Sequence, residues 1–76
     1  MWTLYILQCS DDTLYTGITN DLPRRLLQHE TGKGAKYTKG RGPFMVIYTE
    51  TCANRSEASK REIVIKKMSR EEKQRL

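Results

Sequence analysis

Long apolar runs are missing from this chain, and so is any close-spaced set of metal-binding cysteines and histidines. Its longest apolar stretches fall far short of the roughly 20 residues that a membrane-spanning helix needs, so no membrane contact is expected. Cys9 and Cys52 are the only two cysteines and form no CxxC pair, and His29 is the only histidine. A dense disulfide framework and a four-ligand zinc site of close spacing are thereby excluded. The opening Met-Trp-Thr-Leu has neither the basic start nor the apolar run of a secretion signal. A cytoplasmic protein with reduced cysteines is expected. There is no internal repeat, no linker and no GxxxxGK[ST] phosphate loop.

What is present is positive charge. The 76 residues carry 14 Lys and Arg against 9 Asp and Glu, a net charge of +5, with 37% hydrophobic residues. That length predicts one domain, residues 1–76, near the lower limit of independent folding and built on one thin core. The basic balance makes a polyanion a plausible partner.

Residues 2–9 are apolar and β-prone, and residues 13–19 are rich in β-branched and aromatic types, with Ser10-Asp11-Asp12 as turn chemistry between them. The pair reads as an antiparallel hairpin. Gly17, inside the second strand, signals a bulge or a close backbone approach. Asn20 or Asp21 caps a helix that has Pro23 in its first turn, a stripe of Leu22, Leu26 and Leu27, and Gly32 at its end. A polar, glycine-rich loop follows to Pro43, then a third strand over residues 44–51. Asn54 with Glu57 resembles a capping box for a second helix, with Ala58, Val64, Ile65 and Met68 on one side. Residues from Ser69 onward extend it or form a short last helix. The order β-β-α-β-α(-α) predicts an α+β domain with a small three-stranded antiparallel sheet flanked by helices.

Five polar or aromatic residues fall where this layout allows them to meet. In the hairpin, an odd-length turn centred on Asp11 pairs Tyr5 with Gly17 and Tyr15 with Leu7, and both tyrosines then share a face. An even-length turn separates them. Arg25 and His29, at i and i+4, project from one helix face. An arginine fork suits phosphate and an imidazole moves protons near neutrality. Glu62 borders the apolar stripe of its helix, and a hard divalent cation often takes only one or two protein carboxylates. Each residue also has a plain structural reading. Strand tyrosines usually pack, Arg25 has Asp21 for an ordinary ion pair, and Glu62 has Lys66 at i+4. The loop 32–43 is a second feature: Lys33, Lys36, Lys39 and Arg41 alternate with small residues around Tyr37, a pattern suited to phosphates and a stacked base. Its alternative is a solvated flexible loop. Lys60, Arg61, Lys66 and Lys67 read as a further basic face that solvates the second helix.

In this order and spacing the chain resembles the GIY-YIG nuclease superfamily, and in particular its small stand-alone bacterial members of uncertain function. The resemblance rests on Tyr5, the run from Tyr15-Thr16-Gly17 to Leu22, the Arg25-to-His29 spacing, Gly32 to Thr38, and Glu62 with Lys66-Lys67. The first motif reads Thr3-Leu4-Tyr5 in place of Gly-Ile-Tyr, and the second reads Tyr-Thr-Gly in place of Tyr-Ile-Gly. The resemblance implies hydrolysis of nucleic-acid phosphodiesters, DNA ahead of RNA, by an endonuclease or an accessory nuclease module. It implies one divalent ion, Mg²⁺ or Mn²⁺, held by Glu62. Tyr5 would activate water, Tyr15 assist, Arg25 steady the scissile phosphate, and His29 aid proton transfer. Two other expectations stand beside this one: a module that binds nucleic acid through the basic loop without cutting, and a domain that meets a protein partner along its sheet edge. A monomer is expected.

Overall fold

A computed structural model describes residues 1–34 and 38–76. Its elements follow the expected order. Strand β1 spans Trp2–Gln8 and β2 Leu14–Thr19, helix α1 spans Leu22–Glu30, strand β3 Met45–Cys52, and helices α2 and α3 cover Arg55–Lys66 and Arg70–Gln74. The three strands form one antiparallel sheet in the order β2-β1-β3, so the first strand is central.

The hairpin turn fixes the register. Asp11 accepts hydrogen bonds from the Thr13 backbone N–H at 3.2 Å and from the Thr13 hydroxyl at 2.6 Å, an Asx-type turn. The Cys9 N–H donates to the Thr13 carbonyl at 2.8 Å and closes the loop. Asp12 takes the left-handed conformation with φ of 66°, which aspartate tolerates better than most residues. The result is the odd-length register: Tyr5 lies opposite Gly17 and Leu7 opposite Tyr15. Both tyrosines therefore stand on one sheet face.

The two faces of β1 have different tasks. Leu4 and Ile6 point to one side and form the core with Cys52, Ala58 and Ile65, with Trp2, Leu14, Ile18, Ile47, Tyr48 and Met68 packed around them. Full burial of residues this size contributes about 1.5–3 kcal/mol each. Helix α2 covers this side. Its N-cap Asn54 accepts from the Glu57 N–H at 2.9 Å. Ser69 and Glu72 form a full capping box that starts α3 as a separate turn of helix. Two residues assigned to apolar stripes are on the outside instead: Leu27 is 60% exposed and Val64 is 49% exposed. Each lies one position along the chain from a less exposed residue, half-buried Leu26 or fully buried Ile65. A helical wheel places such neighbours about 100° apart, and a thin sheet covers less of the helix than that. The other face of β1, with Tyr5 and Leu7, carries the polar cluster described next.

Candidate functional site

Helix α1 delivers the histidine. Asp21 caps it, accepting from the Arg24 N–H at 3.2 Å, and Gly32 leaves it with a φ of 78°, the left-handed turn that glycine allows. His29 is buried in the last turn. Its ring lies 5.9 Å from the Tyr5 ring, 5.3 Å from Tyr15 and 5.9 Å from Phe44, in tilted or edge-on contacts. The two tyrosine rings are 6.3 Å apart. Two hydrogen bonds hold the imidazole: Nε2 with the Tyr5 hydroxyl at 2.8 Å and Nδ1 with the Thr38 hydroxyl at 2.7 Å. Burial, and then the charge of Arg25, push the His29 pKa below its usual value. The ring is thus neutral at pH 7, with one N–H to serve both bonds.

Two glycines make room for this cluster. A Cβ on Gly17 would stand 2.6 Å from the Tyr5 hydroxyl oxygen and 3.0 Å from Cε2 of Tyr15. A Cβ on Gly34 would stand 2.5 Å from Nδ1 of His29. The Gly17 signal in the sequence is thus a close approach by side chains, and the strand keeps a regular register through it. We expect Gly17→Ala to lower stability by about 1–3 kcal/mol, the usual result of overpacking a filled site, or to push the Tyr5 ring off His29. Urea denaturation and the Tyr5–His29 distance in a structure of the variant check this. Wild-type stability with an unmoved ring would contradict it.

Arg25 and Glu62 approach the same phenol. Burial raises the Tyr5 pKa, while the adjacent Arg25 guanidinium works against that rise and the Tyr15 and Glu62 charges add to it. Burial likewise acts against the Arg25 charge, but the neighbouring Tyr5 and Tyr15 phenols together outweigh this and raise its pKa. Arg25 makes no ion pair with Asp21 of the expected i,i+4 kind; its Nη1 donates to the Gln28 side-chain oxygen at 3.0 Å instead. Glu62 on α2 is half-buried, with 22% of its side chain exposed, and pairs with Lys66 at 3.5 Å. The ordinary i,i+4 pair therefore exists, and it coexists with a carboxylate close enough to influence Tyr5.

A divalent cation would find one candidate hard ligand beside the phenol, Glu62. Among the described residues no group of three or more His, Cys, Asp or Glu side chains converges. That donor set does not suit structural zinc, but it fits Mg²⁺ or Mn²⁺, which keep most of their waters and take one or two carboxylates. Lys66, 3.5 Å from Oε2 of Glu62, would compete with such an ion for the carboxylate.

The basic loop is anchored at several points. Lys33 N–H donates to the Gln28 carbonyl at 2.8 Å, Thr38 holds His29, and the Ser10 N–H donates to the Arg41 carbonyl at 2.8 Å. Lys33 and Lys39 are exposed. Arg41 is turned towards the hairpin tip, where its guanidinium pairs with Asp11. Lys36 and Tyr37 lie outside the described residues. On α2, Arg61 does more than solvate: its Nε donates to Glu50 at 2.8 Å, and Tyr48 donates to the same carboxylate at 2.6 Å.

Thr38, Gly34 and Phe44 complete the histidine pocket; Gly34 and Thr38 belong to the run that carries the resemblance, but none of the three was given a role in the site from the sequence. The available signal was the Gly-Lys-Gly spacing before Thr38, which marks a close backbone approach.

The fold and this cluster define a small α+β domain whose tyrosine–histidine cluster sits on the sheet face opposite the core. A family model described as the GIY-YIG catalytic domain matches residues 1–75, and the chain belongs to that family. The family is one of nucleases acting on nucleic acid. The chain is 58% identical over 73 residues to the UPF0213 protein OB0043 of Oceanobacillus iheyensis, covering 96% of this chain and 85% of the relative. It is 56% identical over 69 residues to the UPF0213 protein DP2720 of Desulfotalea psychrophila, covering 90% of this chain but only 63% of that longer relative. The solution NMR structure of the UPF0213 protein BH0048 from Bacillus halodurans matches with a TM-score of 0.61 at 45% identity, covering 99% of this chain and 81% of that one. No helix among the described residues is long and apolar enough to cross a membrane.

Proposed function

We propose that the protein is a metal-dependent endonuclease, or an accessory nuclease module, that hydrolyses phosphodiester bonds in DNA. The observation that carries this reading is the 2.8 Å contact between the Tyr5 hydroxyl and a buried, neutral His29, with Arg25 beside the phenol. A neutral phenol donates its proton to Nε2, which places the ring proton on Nδ1 and directs it to the Thr38 oxygen. Tyr5 can then take a proton from an attacking water as it passes its own to His29. Arg25, held by Gln28, offers two or more N–H donors to the non-bridging phosphate oxygens. Tyr15 packs against both rings and orients them. Glu62 would hold Mg²⁺ or Mn²⁺, which when bound stabilises charge on the phosphate and the departing oxygen. The chain acts as a single cytoplasmic domain, and as a monomer, in this reading.

The test is cleavage of supercoiled plasmid by the purified protein. Nicking with millimolar Mn²⁺ or Mg²⁺ that stops on chelation is the expected result. Intact DNA and intact RNA at all metal concentrations would leave a binding module that does not cut. The Glu62–Lys66 pair and the exposed Lys33 and Lys39 favour that second reading. Binding without turnover, weakening steeply with salt, is its signature.

A further inference from the structure

Beside the tyrosine–histidine cluster, where β1 begins and β2 ends, lies an open groove of about 340 Å³. That is the lower end of the size range of sites for small ligands, and fits one nucleotide. Its wall carries three arginines, Arg24 and Arg25 from α1 and Arg55 from the first position of α2, along with Trp2. The only acid in the lining is Asp21, whose side chain is engaged as the cap of α1. Arg24 and Arg55 are both exposed and, among the described residues, neither has an acidic partner. The Arg55 guanidinium stands 5.6 Å above the Trp2 ring, which sets its position without neutralising it. Arg25 belongs to both places: its charge is felt at the Tyr5 phenol, and it also lines the groove.

We propose that this groove is a subsite for the nucleotide next to the scissile bond, with Arg24 and Arg55 holding its phosphate. The inference rests on the nucleic-acid reading above and adds where the strand continues. Guanidinium forks match phosphate oxygens and bind them in pairs, so two arginines without acidic partners, brought to one groove from α1 and α2, can clamp a phosphate between them. Arg25, between clamp and phenol, joins the two phosphate positions into one track. The Asp21 charge opposes anions, and the three arginines exceed it. Because the basic loop carries other cations, the groove is a defined path only if its removal has an effect beyond lost charge.

The sole tryptophan lines the groove, so the protein carries its own probe. Wild-type protein in chelator is titrated with short single-stranded oligonucleotides of increasing length, following Trp2 fluorescence and anisotropy of a labelled strand. The same is done for Arg24→Ala/Arg55→Ala and for a charge-matched control, Lys60→Ala/Lys67→Ala. The groove variant is expected to bind about tenfold more weakly at low salt. Its plot of log affinity against log salt should be shallower by roughly 0.7, the share of the one phosphate contact that the clamp makes on a single strand. The Trp2 signal should be lost, while the control keeps both signal and slope. Equal losses in both variants, or an unchanged Trp2 response in the groove variant, would overturn the subsite. Thermal melts of all three proteins exclude unfolding as the cause. Failure of cleavage with the groove behaviour intact removes the nuclease reading alone. Failure of every oligonucleotide to bind at low salt removes both.

Discussion

Replacing Glu62 with glutamine is expected to remove metal-dependent cleavage while the protein stays folded. Glutamine keeps the shape of the side chain and its stem packing but carries no charge, so it loses the ion and retains the fold. Glu62 stands partly in solvent and makes one exposed pair with Lys66, worth well under about 1 kcal/mol. The expected stability change is therefore small. The expected loss in cleavage is large, on the order of 10²-fold or more, because among the described residues no cluster of three or more His, Cys, Asp or Glu side chains offers the ion another site. Lys66→Ala is a useful companion. It frees the carboxylate from its competitor and should lower the metal concentration needed for half-maximal rate. Plasmid nicking across a Mn²⁺ series reads both effects, and chemical denaturation reads stability. Undiminished cleavage by Glu62→Gln would remove this residue from the site.

The hairpin was legible because its determinants are local. Asp11 and Thr13 make their turn bonds within two residues, so the sequence shows both participants. The parity of the loop was not legible, because odd and even turns use the same Ser, Asp and Thr chemistry; the Cys9–Thr13 closure decides it. Arg25 and His29 were placed on one helix face by their spacing alone. The bond from His29 to Thr38 was not, because it joins an α1 residue to a loop and follows from packing over a gap that no periodicity describes. The shift of register between Ile6 and Leu7 against β3 is equally silent in sequence, since it arises where strands meet across the sheet. Arg41 shows the reverse case. Composition groups it with the loop lysines, but its neighbour in space is Asp11, thirty positions earlier.

Tyr5→Phe is expected to lower cleavage by about 10²–10⁴-fold, the range that positioned proton transfer usually supplies. Phenylalanine fills the same buried volume and leaves Gly17 and Tyr15 undisturbed, so the loss would be chemical and not structural. It does leave Nε2 of His29 without its partner, a cost of about 1–3 kcal/mol in stability. The pH dependence separates the relay from a passive phenol. His29 must be neutral to accept from Tyr5, and burial with the nearby Arg25 lowers its pKa. Cleavage should therefore persist as pH falls past the ordinary histidine value near 6.5 and fail only below it. Stability follows the same sign: the folded pKa is depressed, so the histidine's contribution is complete above about pH 6.5 and is lost as pH falls through the folded value. The Tyr5 pKa is raised, so its contribution is complete below about pH 10 and is lost as pH rises through the folded value. His29→Gln keeps a hydrogen-bonding side chain but accepts no proton. It should erase the acid limb of the rate profile as well as reduce the rate. A variant that keeps that limb would assign it to another group and leave Tyr5 without its acceptor.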